Sequence, residues 1–222
     1  MQKTSVAALA ALAFLAVGAV GALAEETPAE AGEKVSFPGT YVRVAYNDEG
    51  WVTLGFRLAN ESVGDDWMLL QVGMTVQGKR EKFMLHRDNI ELVIPGPKVV
   101  SLAAQKEFGD AGSLVALNNR AEVTSDNINY FPADARQGCR ISFFTAPMAG
   151  APRISRDQVE LSYTRACGGR LFFKVPGGIQ YGTYNLNVTF DKTTIRVPFE
   201  IMTKDGVKKL EAQLEELRKK QK

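Results

Sequence analysis

Two cysteines, one histidine and a few paired carboxylates are the side chains of this 222-residue sequence whose types and spacing could do chemistry. Cys139 and Cys167 are the only thiols. A redox pair favours Cys-x-x-Cys spacing, and a zinc site needs more ligands than one histidine and two distant thiols supply. A structural disulfide is therefore expected, which loop-closure entropy values at roughly 3.5 kcal/mol. His86 stands in Phe83-Met84-Leu85-His86-Arg87-Asp88, and no Gly-x-Ser-x-Gly elbow offers it a nucleophile, so an ordinary surface or strand-end histidine is expected. Asp48-Glu49 and Asp65-Asp66 sit beside Asn or Gly, where acidic side chains satisfy turn amides more often than they bind calcium. Gly168-Gly169, Gly177-Gly178 and Gly182 lack the Gly-Lys-Ser/Thr ending of a phosphate loop and read as turn glycines. No catalytic, cofactor-binding or metal-ligating residue is assigned, and no cofactor is expected.

Recognition chemistry is easier to place. Asn127-Ile128-Asn129-Tyr130-Phe131-Pro132 puts two aromatics and two amides in one loop, so Tyr130 and Phe131 either contact a protein or sugar or tuck into their own core. Arg136, Arg140, Arg153, Arg156, Arg165 and Arg170 crowd one third of the chain; aligned strands would turn them into a site for an acidic partner, and scattered ones leave them solvated. Near the end, Val207, Leu210, Leu214 and Leu217 recur at helical spacing in Lys204 to Lys222, with Asp205 as a start cap and Glu215–Lys219 and Glu216–Lys220 as ion pairs. That narrow apolar stripe either lies on its own domain or pairs with a second copy or another protein, while a membrane surface is disfavoured by the absence of Trp and Phe. Asn60-Glu61-Ser62 and Asn187-Val188-Thr189 are glycosylation triplets, the second in a strand pattern.

The elements that must position these groups read mostly as strands. Apolar residues alternate through Val52-Leu54-Phe56-Leu58, Met68-Leu70-Val72-Met74-Val76 and Ile90-Leu92-Ile94, and more briefly at Phe83-Leu85. Asn47 to Gly50 turns the chain from Tyr41–Tyr46 into the first of these. Extended structure is again expected at 139–145, 159–163 and 170–175. The clearest hairpin pairs Tyr184-Leu186-Val188-Phe190 with Ile195-Val197-Phe199-Ile201 across Asp191-Lys192. The Ala-, Leu- and Gln-rich stretch 101–123 breaks the rhythm and predicts one or two short helices, with Ala111, Leu114, Val115 and Asn118 on one face and Gly109 and Gly112 between them.

Short strands punctuated by turns predict a mainly β fold, a two-sheet antiparallel β-sandwich with a helical insertion and a C-terminal amphipathic helix. Within Gly182-Thr183-Tyr184-Asn185-Leu186-Asn187-Val188, the order Gly-x-Tyr-x-Leu-x-Val resembles the penultimate strand of immunoglobulin-like domains, in which a tyrosine near the strand start packs at a corner. The resemblance implies an immunoglobulin-like sandwich, although no Cys stands at Leu186 or Val188.

Lys3, the apolar run Val6 to Val20 and the small-x-small ending Gly21-Ala22-Leu23-Ala24 make residues 1–24 an export signal, followed by a flexible acidic leader over 25–36. The run is too short for a bilayer span, so no transmembrane segment is expected after cleavage. Domain boundaries follow at 37–203 for the sandwich and 204–222 for the helix. The chain carries 27 Lys and Arg against 25 Asp and Glu, a balance that argues against nucleic acid as a partner. The expected role is an exported, periplasmic or extracellular, non-catalytic binding or assembly module that has a protein partner or self-associates through its last helix. The alternatives are a carboxylate-dependent hydrolase or a lectin acting on envelope glycans, and a purely architectural envelope protein.

Overall fold

Period-two alternation becomes strand wherever one face can be buried, and the computed structural model, which describes residues 33–144 and 156–220, is mainly β. The segment expected to be an export signal (1–24) and most of the acidic leader lie outside the described residues. Strands β1 (Lys34–Gly39), β2 (Val42–Tyr46), β3 (Gly50–Gly55) and β4 (Trp67–Val76) form a meander, with the one-turn helix α1 (Arg57–Asn60) between the last two. Next come β5 (Phe83–His86), β6 (Ile90–Ile94) and β7 (Lys98–Ser101), then helices α2 (Gln105–Asp110) and α3 (Ser113–Val123). Strands β8 (Gln137–Ile141), β9 (Gln158–Leu161), β10 (Arg165–Lys174), β11 (Gly182–Thr189) and β12 (Thr194–Ile201) lead to helix α4 (Lys204–Lys220). β1 begins at Lys34, ahead of the Phe37 start read from the sequence.

Three sheets result, with orders β1-β2-β3-β4-β10-β8, β12-β11-β6-β7 and β5-β9. The expectation of purely antiparallel sheets fails at one pair, because β8 runs parallel to β10. A parallel neighbour needs a long return, and the chain between Ile141 and Arg165, which contains β9, provides it. The six- and four-stranded sheets share one core: Val52, Leu54, Leu70, Val72, Leu171 and Phe173 on one side meet Leu92, Leu186, Val188, Ile195, Val197 and Phe199 on the other. Each such large apolar side chain stabilises the fold by about 1.5–3 kcal/mol on burial. The arrangement is compatible with a β-sandwich. Its final hairpin has the expected register, Tyr184 opposite Phe199 and Val188 opposite Ile195.

Side chains lock the two sheets at their turns. The Glu49 carboxylate accepts the Lys192 amide at 3.0 Å and the Thr193 amide and hydroxyl at 2.9 and 2.8 Å, and Asn47 Nδ2 donates to Thr193 Oγ1 at 2.8 Å. Glu49 thus satisfies turn amides as expected, but those of the facing hairpin, and latches the two together. The Tyr184 hydroxyl donates to the Gln180 carbonyl at 2.9 Å and accepts the Gln180 amide at 3.0 Å, which pins the corner ahead of β11.

A second core forms on the outer face of the six-stranded sheet, where Trp67, Leu69 and Phe172 meet Leu58 from α1 and Phe108, Leu114, Leu117 and Ala121 from α2 and α3. Leu58 was expected to continue the β3 strand. Instead the chain turns into α1 once the Asp126 carboxylate accepts the Arg57 amide at 2.9 Å, and Leu58 swings toward the helices. The helical insertion divides at Ala111-Gly112, with Gly109 inside α2, and buries Leu114, Leu117 and Ala121 while leaving Val115 exposed.

Candidate ligand-binding site

Glycines inside strands, where a side chain is wanted for packing, mark places where something else approaches the sheet. Three of them occupy the outer face of the six-stranded sheet. Gly73 on β4 is in register with Gly168 on β10, which is in register with Arg140 on β8; one row over, Gly55 on β3 faces Gln71, which faces Arg170. The segment 126–131 crosses this face. A Cβ on Gly55 would lie 2.8 Å from Asp126 Cβ, and one on Gly73 would lie 2.6 Å from Phe131 Cζ, so Asp126 and Phe131 fill those two hollows. Among the described residues, a Cβ on Gly168 would meet only the Val72 carbonyl, at 3.8 Å, and that hollow is open.

Above it lies a cavity of about 400 Å3. Phe108, Phe144 and Phe172 form one wall, their ring centroids 4.8 to 5.1 Å apart, and Arg140, Arg170, Glu122 and Asn118 form the polar side, with Asp126 and Ile128 at the rim. The size is within the range of about 300–1,000 Å3 that accommodates small ligands. Gly168 and Gly169 were expected in a turn. They lie inside β10 instead, because a Cβ on Gly169 would meet the Ile141 carbonyl oxygen at 2.5 Å, and the close approach of β8 requires a glycine there.

The charges around the cavity are mostly committed. Arg170 donates to Asn118 Oδ1 and to Glu122 Oε1, both at 2.8 Å, and this hydrogen bond and charge hold the Glu122 carboxyl below its ordinary range. Asp126 accepts the Arg57 amide at 2.9 Å and Arg57 Nε at 3.1 Å, yet burial outweighs these bonds and pushes its carboxyl up. Among the described residues, the exposed Arg140 side chain makes no hydrogen bond or ion pair.

The residues singled out from the sequence are dispersed. Cys139 and Cys167 stand opposite each other on β8 and β10, their Cα atoms 4.3 Å apart and their sulfurs at disulfide distance. Phe131 packs on Gly73, whereas the Tyr130 ring is 37% exposed and its carbonyl accepts Trp51 Nε1 at 2.6 Å. Comparison with protein-family models, with curated proteins and with solved structures found no match. Val207, Leu210 and Leu214 are half-buried along α4, and Leu217 is 55% exposed. Thr203, whose Oγ1 accepts the Gly206 amide at 3.2 Å, caps that helix in place of Asp205, and Lys219 meets Glu215 at 2.7 Å as expected. His86 is exposed at the end of β5. Of the arginines singled out, Arg165 pairs with Glu160 and Arg170 with Glu122, Arg136 Nε donates to the Ala133 carbonyl at 3.0 Å, and Arg153 lies outside the described residues. Among the described residues no group of His, Cys, Asp and Glu could hold a metal ion, and no helix is long and apolar enough to cross a membrane.

Sequence reasoning missed the cavity altogether. Its signal was the strand glycine: Gly55, Gly73 and Gly168 each interrupt a run in which packing favours larger residues.

Proposed function

We propose that this chain is exported and acts, without catalysing a reaction, as a binding or assembly module in the cell envelope or outside the cell. The observation that carries the reading is the open hollow over Gly168, a formed cavity whose two carboxylates are each held by an arginine. Such groups orient a site and leave no free acid and base. The leader pattern of residues 1–24 and the cysteine pair at disulfide distance support export, since disulfides persist in oxidising compartments. The exposed Tyr130 ring and the Leu217 end of the α4 stripe are the surfaces offered to a protein partner or a second copy. For the fold, the Tyr184 corner supports an immunoglobulin-like sandwich, from which the parallel β8–β10 pair departs.

Capture of partners from the native envelope with tagged full-length protein tests the function. One stoichiometric protein is the expected product; recovery of glycan alone would overturn assembly in favour of a lectin or hydrolase. The hydrolase reading ranks second and rests on one observation: Asp126 is raised and Glu122 lowered at the same cavity, the direction of an acid and base pair. It requires turnover of an envelope glycan that disappears in Asp126→Asn.

A further inference from the structure

An open sheet ends in strands whose outer backbone groups have no ladder partner, and proteins blunt such edges with prolines, bulges, charges or cover. The two larger sheets end in β1, β8, β12 and β7, and all but β8 are blunted. β1 carries an irregularity between Ser36 and Gly39 that contains Pro38. β12 carries Pro198, and its Arg196 amide donates to the Glu33 carboxylate at 2.6 Å. β7 is four residues long and opens with Lys98 directly after Pro97. β8 has neither proline nor bulge, and among the described residues β10 is its one neighbour.

The Gln137 amide donates across the ladder to the Thr164 carbonyl at 2.9 Å, so the backbone groups of 137, 139 and 141 turn toward β10 and those of Gly138 and Arg140 turn outward. Gly138 has no side chain to block an approach, and among the described residues a Cβ there would meet nothing within 4 Å. Arg140 is exposed, and Arg136 Nε is taken by the Ala133 carbonyl rather than by a carboxylate. Of its five residues β8 buries only Ile141, yet the Cys139–Cys167 pair ties it to β10 in register. A bridge on so lightly buried a strand fixes the geometry of the edge, and a fixed edge loses little freedom when a further strand is added.

We propose that the outer edge of β8 receives an extended acidic segment of a partner protein as an added strand, with the main-chain groups of Gly138 and Arg140 as the ladder and the Arg140 guanidinium paired with an Asp or Glu. The inference rests on reading the chain as a binding or assembly module and adds the place and the chemistry of the partner. In this mode main-chain bonds supply affinity and the side-chain pair supplies selection. A second copy of β8 is the poorer occupant, because pairing two such edges brings together the positive charges of Arg136 and Arg140 from both copies.

Hydrogen exchange and amide chemical shifts of the full-length oxidised protein test it, with a capped seven-residue peptide of alternating Thr and Val and one central Glu as the probe. In the free protein the Gly138 and Arg140 amides should exchange freely while those of Cys139 and Ile141 are protected; protection of all four would show an edge filled by the chain itself and overturn the proposal. Protection that grows with protein concentration alone would assign the edge to a second copy and overturn the partner. The Glu peptide should bind saturably, with shifts at 138 and 140, and about twofold to fivefold more tightly than its Gln counterpart, an order that Arg140→Glu should reverse. Indifference of both proteins to the peptide's charge overturns the acidic class. N-methylation of alternate peptide amides should abolish binding in one phase and spare it in the other, and equal effects in the two phases overturn strand addition. Gly138→Pro removes an outward amide without taking a bond from β10, so the folded variant should bind the peptide about tenfold or more weakly. If that variant captures the same envelope protein as the unaltered chain, the edge is overturned and the binding-module reading stands; if the unaltered chain binds neither peptide nor envelope protein, both are overturned.

Discussion

The Tyr184 hydroxyl serves the Gln180 carbonyl and the Gln180 amide at once, so deleting one oxygen leaves two backbone groups without their partner at a packed corner. Tyr184→Phe is therefore expected to lower stability by about 1–3 kcal/mol, read as a reduced urea midpoint with an unchanged slope. Glu49 makes a pH-dependent contribution. Burial pushes its carboxyl up, but hydrogen bonds from the Lys192 amide and the Thr193 hydroxyl and amide outweigh this and hold it below its ordinary value of 4.5. The folded state then binds that proton more weakly than the unfolded one, so the stabilisation is complete above the ordinary value and is lost as pH falls through the folded value. Glu49→Gln should lower the urea midpoint at neutral pH and flatten its decline between about pH 5 and pH 3; an unchanged acid limb would remove Glu49 from the account. Asp126 has the opposite sign, since its raised carboxyl costs stability once ionised. At this scale the sequence showed that Asp48-Glu49 belonged to a turn, but the latch depends on Thr193, more than a hundred positions away.

The strands show the same division at the scale of elements. Alternation identified β4, β11 and β12 because each buries one complete face, and a register error in such a strand would expose that whole face to water. β10 was read too short because Gly168 and Gly169 resemble turn residues when only chain neighbours are considered. Their reason for being glycine lies across the sheet. Gly169→Ala should cost about 1–3 kcal/mol as Ile141 and the β8 backbone are forced away. The same two strands carry the disulfide, which closes a loop of 28 positions. Reduction, or replacement of both cysteines by Ala, should each lower the unfolding free energy by roughly 3.5 kcal/mol, with reductant having no effect on the double variant. Equal urea midpoints for oxidised and reduced protein would show that the bridge contributes nothing to stability.

For the whole molecule, the packing forms layers: a four-stranded sheet, a six-stranded sheet, and α2 and α3 with the 126–131 segment on the far side. Among the described residues the third layer covers Gly55 and Gly73 and stops short of Gly168, where the cavity lies. Helix α4 buries its stripe only in part, with Val207, Leu210 and Leu214 half-covered and Leu217 exposed. Removing residues 204–222 is accordingly expected to shift the thermal midpoint by only a few degrees, within about 1 kcal/mol, while changing oligomeric state or partner recovery. Light scattering and capture profiles identical to those of the intact chain would exclude the helix as an interface.

Local residue order determined β4, β6, β11 and β12 with their apolar faces, the turns at Asn47 to Gly50 and Asp191-Lys192, and that the two thiols suit a bridge. These properties follow from side-chain alternation and turn stereochemistry, both written within a few consecutive positions. Only the tertiary structure decided that β8 joins β10 in parallel and that, among the described residues, Phe131 fills the hollow at Gly73 while the one at Gly168 stays open. Each of these depends on contacts between segments tens of residues apart. Periodicity states which way a side chain points, and the fold determines what it meets.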